Sequence, residues 1–384
     1  MDSSLLLYGA DPEGNSDTVD AFEAAFRAGE KRLFLPAGRY LLGRTLYLPS
    51  GTHLTLDEKA LVFAAPGTFT GKAVVMNTEP VKGNNDISIT GGTWDGRCDK
   101  NIRASYYDSE RIGLFFAFSR VNGLHLENLR LRDASSYHIR LGEVTDFTIE
   151  HIRFEGELTP LCQDGIHIGG GCHDGTLRFI SAREGSMGDD LIALNADDCF
   201  WYGMNQDMKP LPIHHITVEH VDAPNCYTGI RLLSVTQEIA DVVFRDITIG
   251  YRVHGINLDA ARHAGDPIFL ASQYPDGVGN IRRILFEDIR IWNAGSADPN
   301  REAITWESNV RNVTFRRLLR IRERDAHPTT APTFRLQYLT ETDWINGQDC
   351  RRLLPEEPFI SDADAYPELV IHAVSPLPRP LAMS

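Results

Sequence analysis

The stretch Leu124-His-Leu-Glu-Asn-Leu-Arg-Leu131 has apolar residues at its first, third, sixth and eighth positions. Each half alternates, and a two-residue phase break separates the halves, which is typical of a strand, a bend and a second strand. Further copies begin at Phe147, Leu177, Ile216, Val242, Ile284 and Val313, of which the copies at Leu177 and Val313 are weaker. Successive starts lie 23, 30, 39, 26, 42 and 29 residues apart. Such a period with variable insertions predicts the coils of a parallel β-solenoid.

A second short phrase lies between these copies and supplies another strand per coil. It is centred on a buried-type isoleucine in each case, namely Ile139, Ile166, Ile192, Ile230, Ile256 and Ile304. Strands and helices do not alternate, which argues against a doubly wound sheet or a (β/α) barrel. The prediction is therefore an all-β, single-stranded parallel β-helix in one domain over residues 1–384. Residues 1–60 form the N-terminal cap and first coils, 61–334 the central coils, and 335–384 the C-terminal cap.

The ends of a solenoid must be covered, because an exposed terminal coil presents unpaired strand edges. The segment Asp17–Gly29 has a capping-type start, an apolar face and a glycine stop. It predicts one short amphipathic helix that plugs the N-terminal end. From about residue 335 the repeat is lost, and we expect this part to cover the other end.

Composition excludes several classes of protein. The chain has 384 residues, a formal charge of −15 and a pI near 5.3, which argues against a nucleic-acid binder. No apolar stretch is long enough to span a bilayer, so no membrane partner is expected. No secretory signal is visible, which favours the cytoplasm by default, or secretion or a periplasmic location if a signal was removed. Six cysteines without a CxxC pair do not indicate a disulfide scaffold.

When the coils stack, equivalent residues of the second phrase in successive coils lie one above another, about 4.8 Å apart. Each position of the phrase therefore forms a column of side chains. Two residues before each isoleucine, in or beside the bend, the column collects Tyr137, Asp164, Asp190, Thr228, His254 and Glu302. One residue after it, facing outward, the column collects Arg140, His167, Ala193, Arg231, Asn257 and Thr305. Asp189 adds a carboxylate in the bend before its strand.

Asp164, Asp189 and Asp190 are therefore expected to cluster, flanked by His167, Arg231 and His254. Carboxylates a few ångströms apart repel one another, so their pKa values split and one stays protonated beside ionised neighbours. The split supplies a general acid and a general base at the same pH. A lone Asp-Gly more often marks a turn, but here both acidic motifs fall at the same register of adjacent coils.

Other candidates would contact the substrate. His167 and Arg231 face the acidic cluster, Arg140 lies in the same column as His167, and His254 is equally well explained as a solvated surface histidine. Trp201 and Tyr202, in a long spacer, are candidates for stacking against sugar rings or for packing of that loop. No cofactor and no metal are expected, because the His214-His215 pair lacks further ligands at a sensible spacing.

These motifs resemble those of the polygalacturonase group, glycoside hydrolase family 28, whose fold is a right-handed parallel β-helix. The resemblance runs over roughly residues 5 to 320, through Tyr8–Thr18, Leu35–Tyr40, Leu46–Leu56 and Ile89–Gly96. The family's Asn-Thr-Asp-Gly appears as Cys162-Gln-Asp-Gly165 and its Gly-Asp-Asp as Gly188-Asp-Asp190. The resemblance implies that Asp189 is the general acid, while Asp164 and Asp190 hold and activate water. It implies inverting hydrolysis, which needs carboxylates about 6.5–9.5 Å apart.

Two family motifs are altered. Gly-His-Gly falls near Tyr227-Thr-Gly229, or alternatively at Val253-His-Gly255, and Arg-Ile-Lys falls at Asn257-Leu-Asp259. Both cations of the latter motif are missing, and Asp259 is expected to repel a substrate carboxylate. The resemblance therefore implies a pectin-related or less acidic glycan rather than polygalacturonate itself, with Arg231 and Arg140 available to hold one acidic group.

The predicted function is a glycosidase, acting on an oligosaccharide or polysaccharide by an inverting, aspartate-based mechanism, with weak preference for chain ends. One alternative is a polysaccharide lyase or epimerase on the same fold. The other is a non-catalytic, tailspike-like solenoid that binds carbohydrate. The oligomeric state and the sugar are left open by the sequence.

Overall fold

A computed structural model gives the architecture as a right-handed parallel β-helix, as the sequence predicts. It describes residues 2–67, 69, 72–104, 108, 110–156, 158–160, 162–183, 187–197, 203–205, 208–260, 279–295, 301–306, 308–336, 344–345, 348–349, 360–361 and 363–374. The chain divides into two compact units: residues 1–167, 172–189 and 201–208 form the first, and residues 168–171, 190–200 and 209–384 form the second. In the part that is described, no helix is long and apolar enough to cross a membrane.

The first unit contains the only α-helix among the described residues, Val19–Arg27, and two short 3-10 helices, Leu5–Tyr8 and Gly203–Asn205. The helix buries Phe22 and Ala25 on its apolar face. Its start differs from the expected cap in one detail, because Thr18 makes no side-chain capping bond and Asp17 Oδ1 accepts from Val19 N at 3.1 Å. The strands of this unit are Ser3–Ser4, Arg32–Leu35, Gly38–Leu42, Leu46–Leu48, His53–Leu56, Ala60–Ala64, Val75–Asn77, Asn84–Thr90, Thr93–Asp95, Phe116–Ser119, Val121–Glu127, Arg130–Arg132, Ile139–Gly142, Thr145–Phe154 and His173–Ser181.

The second unit has parallel strands of the same kind, several of them longer. Its parallel strands are Asp190–Asn195, Ile213–Leu233, Ile239–Asp259, Ile281–Asn293, Ile304–Trp306, Val310–Arg320 and Phe334–Leu336, followed by short Trp344–Ile345, Gln348–Asp349 and Ile360–Ser361 and by Ala365–Val374. A 3-10 helix spans Arg322–Arg324. The strand Ile166–Gly169 lies across the division between the units. Ala365–Val374 runs antiparallel to Val310–Arg320 and so covers the edge of that parallel strand.

The core of each unit is a set of side-chain ladders. In the first unit, Ile89, Leu126, Ile149 and Leu177 follow one another in register. In the second, the buried rings of Phe244, Phe286 and Phe315 stack with centroids 4.9 and 4.8 Å apart. Registered stacking buries each apolar side chain against its equivalents in neighbouring coils, which explains why the eight-residue phrase repeats.

The phase break in that phrase is a left-handed backbone residue. Such residues occur in coil after coil, at Asn128, His151, Phe179, His220, Asp246, Asp288 and Arg317, with φ between 52° and 57°. A second column of this kind collects Asp86, Asp146, Asp174, His215, Asp241, Arg283 and Asn312. One left-handed residue turns the strand and resets its alternation, so the bend inferred from the sequence is confirmed.

The weak copy predicted at Leu177 begins two residues earlier. Phe147 pairs with Gly175 and Ile149 with Leu177, so Gly175 occupies the first apolar position of the phrase. A Cβ at residue 175 would collide with the ring of Phe147. Glycine at this position therefore lets the aromatic ring of the preceding coil fill the core, and it also hides the repeat from a search for apolar residues.

Candidate glycan-binding site

The pairing register confirms the predicted columns in the second unit. Asp190, Thr228 and His254 lie opposite one another, and so do Ala193, Arg231, Asn257 and Thr305. The residues Asp190, Arg231, His254, Asn257 and Asp259 are here called the polar row. Four of the five are at most 3% exposed, so His254 is buried and is not the solvated surface histidine that was the other interpretation of its position. Side chains stacked at about 4.8 Å shield one another even on an outer face.

Arg231 organises the polar row. Its Nη2 lies 2.5 Å from Asp259 Oδ2, and its Nη1 lies 3.4 Å from Asp190 Oδ2. One guanidinium thus balances two carboxylates that are almost fully buried, which stabilises their ionised forms. Asp259 is consequently tied to Arg231 rather than left to repel a substrate carboxylate, and Arg231 is engaged by protein acids instead of standing ready for an acidic sugar.

Asn257 completes the row. Its side chain is 3% exposed, and its carbonyl oxygen Oδ1 has no hydrogen-bond donor among the described residues. A buried carbonyl oxygen without a donor costs free energy, on the order of 1–3 kcal/mol. A hydroxyl group of a ligand would supply that donor.

The first unit brings together three other predicted residues. His167 Nδ1 lies 2.6 Å from Asp164 Oδ2, both side chains are 4% exposed, and the imidazole stacks on Tyr137 with centroids 4.2 Å apart. A carboxylate oxygen of Asp189 lies within 4.8 Å of Asp164, and Asp189 is the more exposed of the two. Backbone bonds fix this arrangement, because Asp189 N donates to Gln163 O at 3.2 Å.

One oxygen of Asp164 and one oxygen of Asp189 thus lie close together. The inverting mechanism, which needs carboxyl groups about 6.5–9.5 Å apart, stays a prediction. Two carboxylates this close favour the sharing of one proton.

The remaining predicted contacts lie elsewhere. Arg140 is 1% exposed and points into the first unit, where it donates to Met204 O and Ser119 Oγ at 3.2 and 3.1 Å. It is therefore occupied by protein acceptors instead of facing a ligand. Trp201 and Tyr202 lie outside the described residues, and their predicted stacking role stays a prediction.

Sequence reasoning missed two features near these residues. His138 is buried in the first unit, and burial lowers its pKa to about 4, although a bond to Asp164 O acts in the other direction. Asp197 accepts hydrogen bonds from Val235 N and Gln237 N at 2.6 Å each. Burial nonetheless raises the pKa of Asp197. Both residues lack a distinctive motif, so only the pairing of coils reveals them.

The first unit also contains a group of side chains of the kinds that can bind a metal ion. His125, Glu127 and Glu150 place one ligand atom each within 4.8 Å of one another. Glu150 is already paired with Arg178 at 2.6 Å, so the group is explained as an ion-pair network on adjacent coils.

Comparison with curated proteins finds phage appendages. The chain is 28% identical to the preneck appendage protein of Bacillus phage PZA over 151 residues, which are 39% of this chain and 16% of that protein. It is 29% identical to the pre-neck appendage protein of Bacillus phage B103 over 252 residues, 60% of this chain and 27% of that protein. The chain thus matches about a quarter or less of the length of these relatives. No protein-family model matches it.

Solved structures share the fold. PfbA, a surface adhesin of Streptococcus pneumoniae, superposes with a TM-score of 0.58 at 16% identity, covering 85% of this chain and 82% of that one. A tailspike protein double mutant of E. coli bacteriophage HK620 gives 0.57 at 14% identity, covering 82% and 61%. A family 28 exopolygalacturonase of Yersinia enterocolitica gives 0.52 at 14% identity, covering 82% and 71%. The shared architecture therefore includes both glycosidases and adhesive proteins.

Proposed function

We propose that this protein is a recognition module that binds a glycan along the polar row of the second unit. The observation that carries the proposal is the buried Asn257 carbonyl oxygen beside the Asp190–Arg231–Asp259 group. Buried ion pairs seldom add stability over apolar side chains of the same volume, so a fold has little structural reason to keep them. Fixed carboxylates, a guanidinium and an amide suit the hydroxyl groups of a sugar.

The relatives support a recognition role. The curated relatives are phage appendage proteins, and a further relative, at 26% identity over 178 residues, is plasmin and fibronectin-binding protein A of Streptococcus pneumoniae. PfbA, which shares the fold, is a surface adhesin, and the surfaces of cells carry glycans. The class of ligand that we propose is a pectin-related or less acidic oligosaccharide.

Binding to a panel of plant and bacterial oligosaccharides tests this proposal. We expect Asn257→Ala to lower the affinity for the tightest-binding oligosaccharide by 10-fold or more, because the ligand hydroxyl loses its hydrogen-bond acceptor. Asn122→Ala, at an exposed asparagine of the first unit, is the matched control and should bind like wild type. Equal affinities of wild type and Asn257→Ala would refute the assignment of the polar row.

Hydrolysis by the first unit is the second candidate function. The specific observation that favours it is the close pair of Asp164 and Asp189, one held by His167 and the other partly exposed. A shared proton would make Asp189 the general acid and leave Asp164 as the base, the roles that the family resemblance implies for them.

Asp189→Asn separates the two functions. If the protein is a hydrolase, this change should lower turnover roughly 10²–10⁴-fold while leaving glycan affinity within about twofold. Reducing ends report hydrolysis, whereas ultraviolet absorbance and loss of activity with a chelator would instead indicate a lyase. Absence of turnover by wild type on every ligand that it binds would reject hydrolysis and leave recognition standing.

A further inference from the structure

A cleft of about 340 Å³ lies in the second unit, outside the polar row. It is lined by Val235, Thr236, Gly279, Asn280, Ile281, Asn309 and Arg311. These residues come from the turn after Ile213–Leu233 and from the starts of Ile281–Asn293 and Val310–Arg320. The volume lies at the lower end of the range for small-ligand sites, which is about 300–1,000 Å³.

The walls of the cleft are held by hydrogen bonds. Gly279 N donates to Val235 O at 2.8 Å, Ile281 N donates to Asn309 O at 3.1 Å, and Asn280 N donates to Ser234 Oγ at 2.9 Å. The buried Asp197 carboxylate anchors the turn behind Thr236 through its backbone and hydroxyl donors. The cleft is therefore preformed, which lowers the entropic cost of binding a ligand.

The cleft has one strong source of charge. Arg311 is exposed and makes no hydrogen bond or ion pair with the residues that the structure describes. Arg282 lies beside it in the next strand but is paired with Glu238, and Arg283 is paired with Asp241 at 2.7 Å. One guanidinium of this group is thus left unbalanced in a chain of net charge −15.

We propose that this cleft binds an acidic sugar unit, with Arg311 on its carboxylate. Guanidinium matches a carboxylate through two parallel N–H bonds. Asn280 and Asn309 line the cleft, and side-chain amides of this kind suit the ring hydroxyls of a sugar. The site lies apart from the polar row and does not depend on the function proposed for it.

Titration of the full chain with D-galacturonate, D-galactose and inorganic phosphate tests this site. Galacturonate should bind at least 10-fold more tightly than galactose, with an affinity that falls as salt rises. Arg311→Gln should weaken galacturonate binding by 10-fold or more, and Arg311→Lys should restore part of it. Arg153→Gln removes an exposed arginine of the first unit and controls for net charge.

Two further variants distinguish the cleft from the polar row. Asn280→Asp keeps the shape of the side chain and adds a negative charge to the lining, so it should also weaken galacturonate binding. Asn257→Ala reports on the polar row, so loss of galacturonate binding in this variant but not in Arg311→Gln would assign the sugar to that row. Three results would each overturn the proposal. The first is wild-type affinity for galacturonate in Arg311→Gln, and the second is loss of galacturonate binding in Asn257→Ala alone. The third is binding of phosphate without binding of galacturonate.

Discussion

Asp259 and Arg231 form the closest ion pair of the polar row, with Oδ2 and Nη2 2.5 Å apart and the Asp259 side chain fully buried. The same guanidinium reaches Asp190 at 3.4 Å. Two carboxylates from different strands are therefore held by one cation. This arrangement fixes the position of every charged group in the row before a ligand arrives, which is the condition for specific recognition of hydroxyl groups.

Asp259→Asn should destabilise the protein. The change leaves Arg231 with a single carboxylate, and breaking one side of a buried pair costs about 3–5 kcal/mol, reduced here because Arg231 is 21% exposed. We expect a loss of about 2–3 kcal/mol in urea unfolding. Asp241→Asn, in an exposed pair with Arg283, is the control and should cost at most about 1 kcal/mol. Equal losses in both variants would contradict the central role given to Asp259.

The buried imidazole of His138 predicts a loss of stability in acid. Its pKa is about 4 in the folded chain and about 6.5 when exposed, so the unfolded chain binds more protons between these values. Folding free energy on the order of 3 kcal/mol is therefore present above pH 6.5 and lost as the pH falls to about 4. His138→Asn should flatten the pH dependence of unfolding in this window. His327→Asn, at an exposed histidine that forms no ion pair with the described residues, is the control. An identical slope in wild type and His138→Asn would be the contrary result.

In the left-handed column that contains Asn312, the backbone conformation predicts which substitutions lower the stability of the fold. Asn312 is exposed with φ of 53°, a conformation that glycine adopts freely and β-branched residues resist. Asn312→Gly should change stability by only a few tenths of a kcal/mol, whereas Asn312→Val should cost about 1–2 kcal/mol. Thr314→Val, two residues on in extended backbone, provides the comparison and should be nearly neutral. Thermal unfolding of the three variants measures these changes. An unfolding temperature of Asn312→Val equal to that of wild type would contradict the prediction.

The phenylalanine ladder should dominate the stability of the second unit. Phe286 is fully buried between Phe244 and Phe315, so Phe286→Ala leaves a cavity and should cost about 3–5 kcal/mol. Phe286→Leu keeps most of the volume and should cost clearly less. Phe179→Ala, at a phenylalanine that is 42% exposed, should have a small effect. Chemical denaturation measures these losses of unfolding free energy. A larger loss in Phe179→Ala than in Phe286→Ala would contradict the prediction.

The features set by backbone repetition were predictable from sequence. The strand–bend–strand phrase, the isoleucine columns and the pairing of Asp190 with Thr228 and His254 follow from a period of apolar residues. A single glycine, Gly175, was enough to shift one copy by two residues, because its apolar partner is supplied by Phe147 of the neighbouring coil.

Side-chain partners were not predictable in the same way. Whether Arg140 points to a ligand or to Met204 O depends on rotamers and on a segment distant in sequence. The bond between Arg231 and Asp259 is diagonal, because Asp259 lies two residues beyond Asn257, the register partner of Arg231, so no motif records it. Electrostatic roles of this kind emerge only when the coils are stacked.

The antiparallel strand Ala365–Val374 changes what the last long coil offers to other molecules. It pairs with Val310–Arg320 along most of its length, so the backbone N–H and C=O groups of that strand already have partners. A parallel stack is otherwise an open-ended template, onto which a second chain adds as easily as another coil of the same one. The reversed strand thus takes the place that a further parallel coil would occupy beside Val310–Arg320, so that template is already filled.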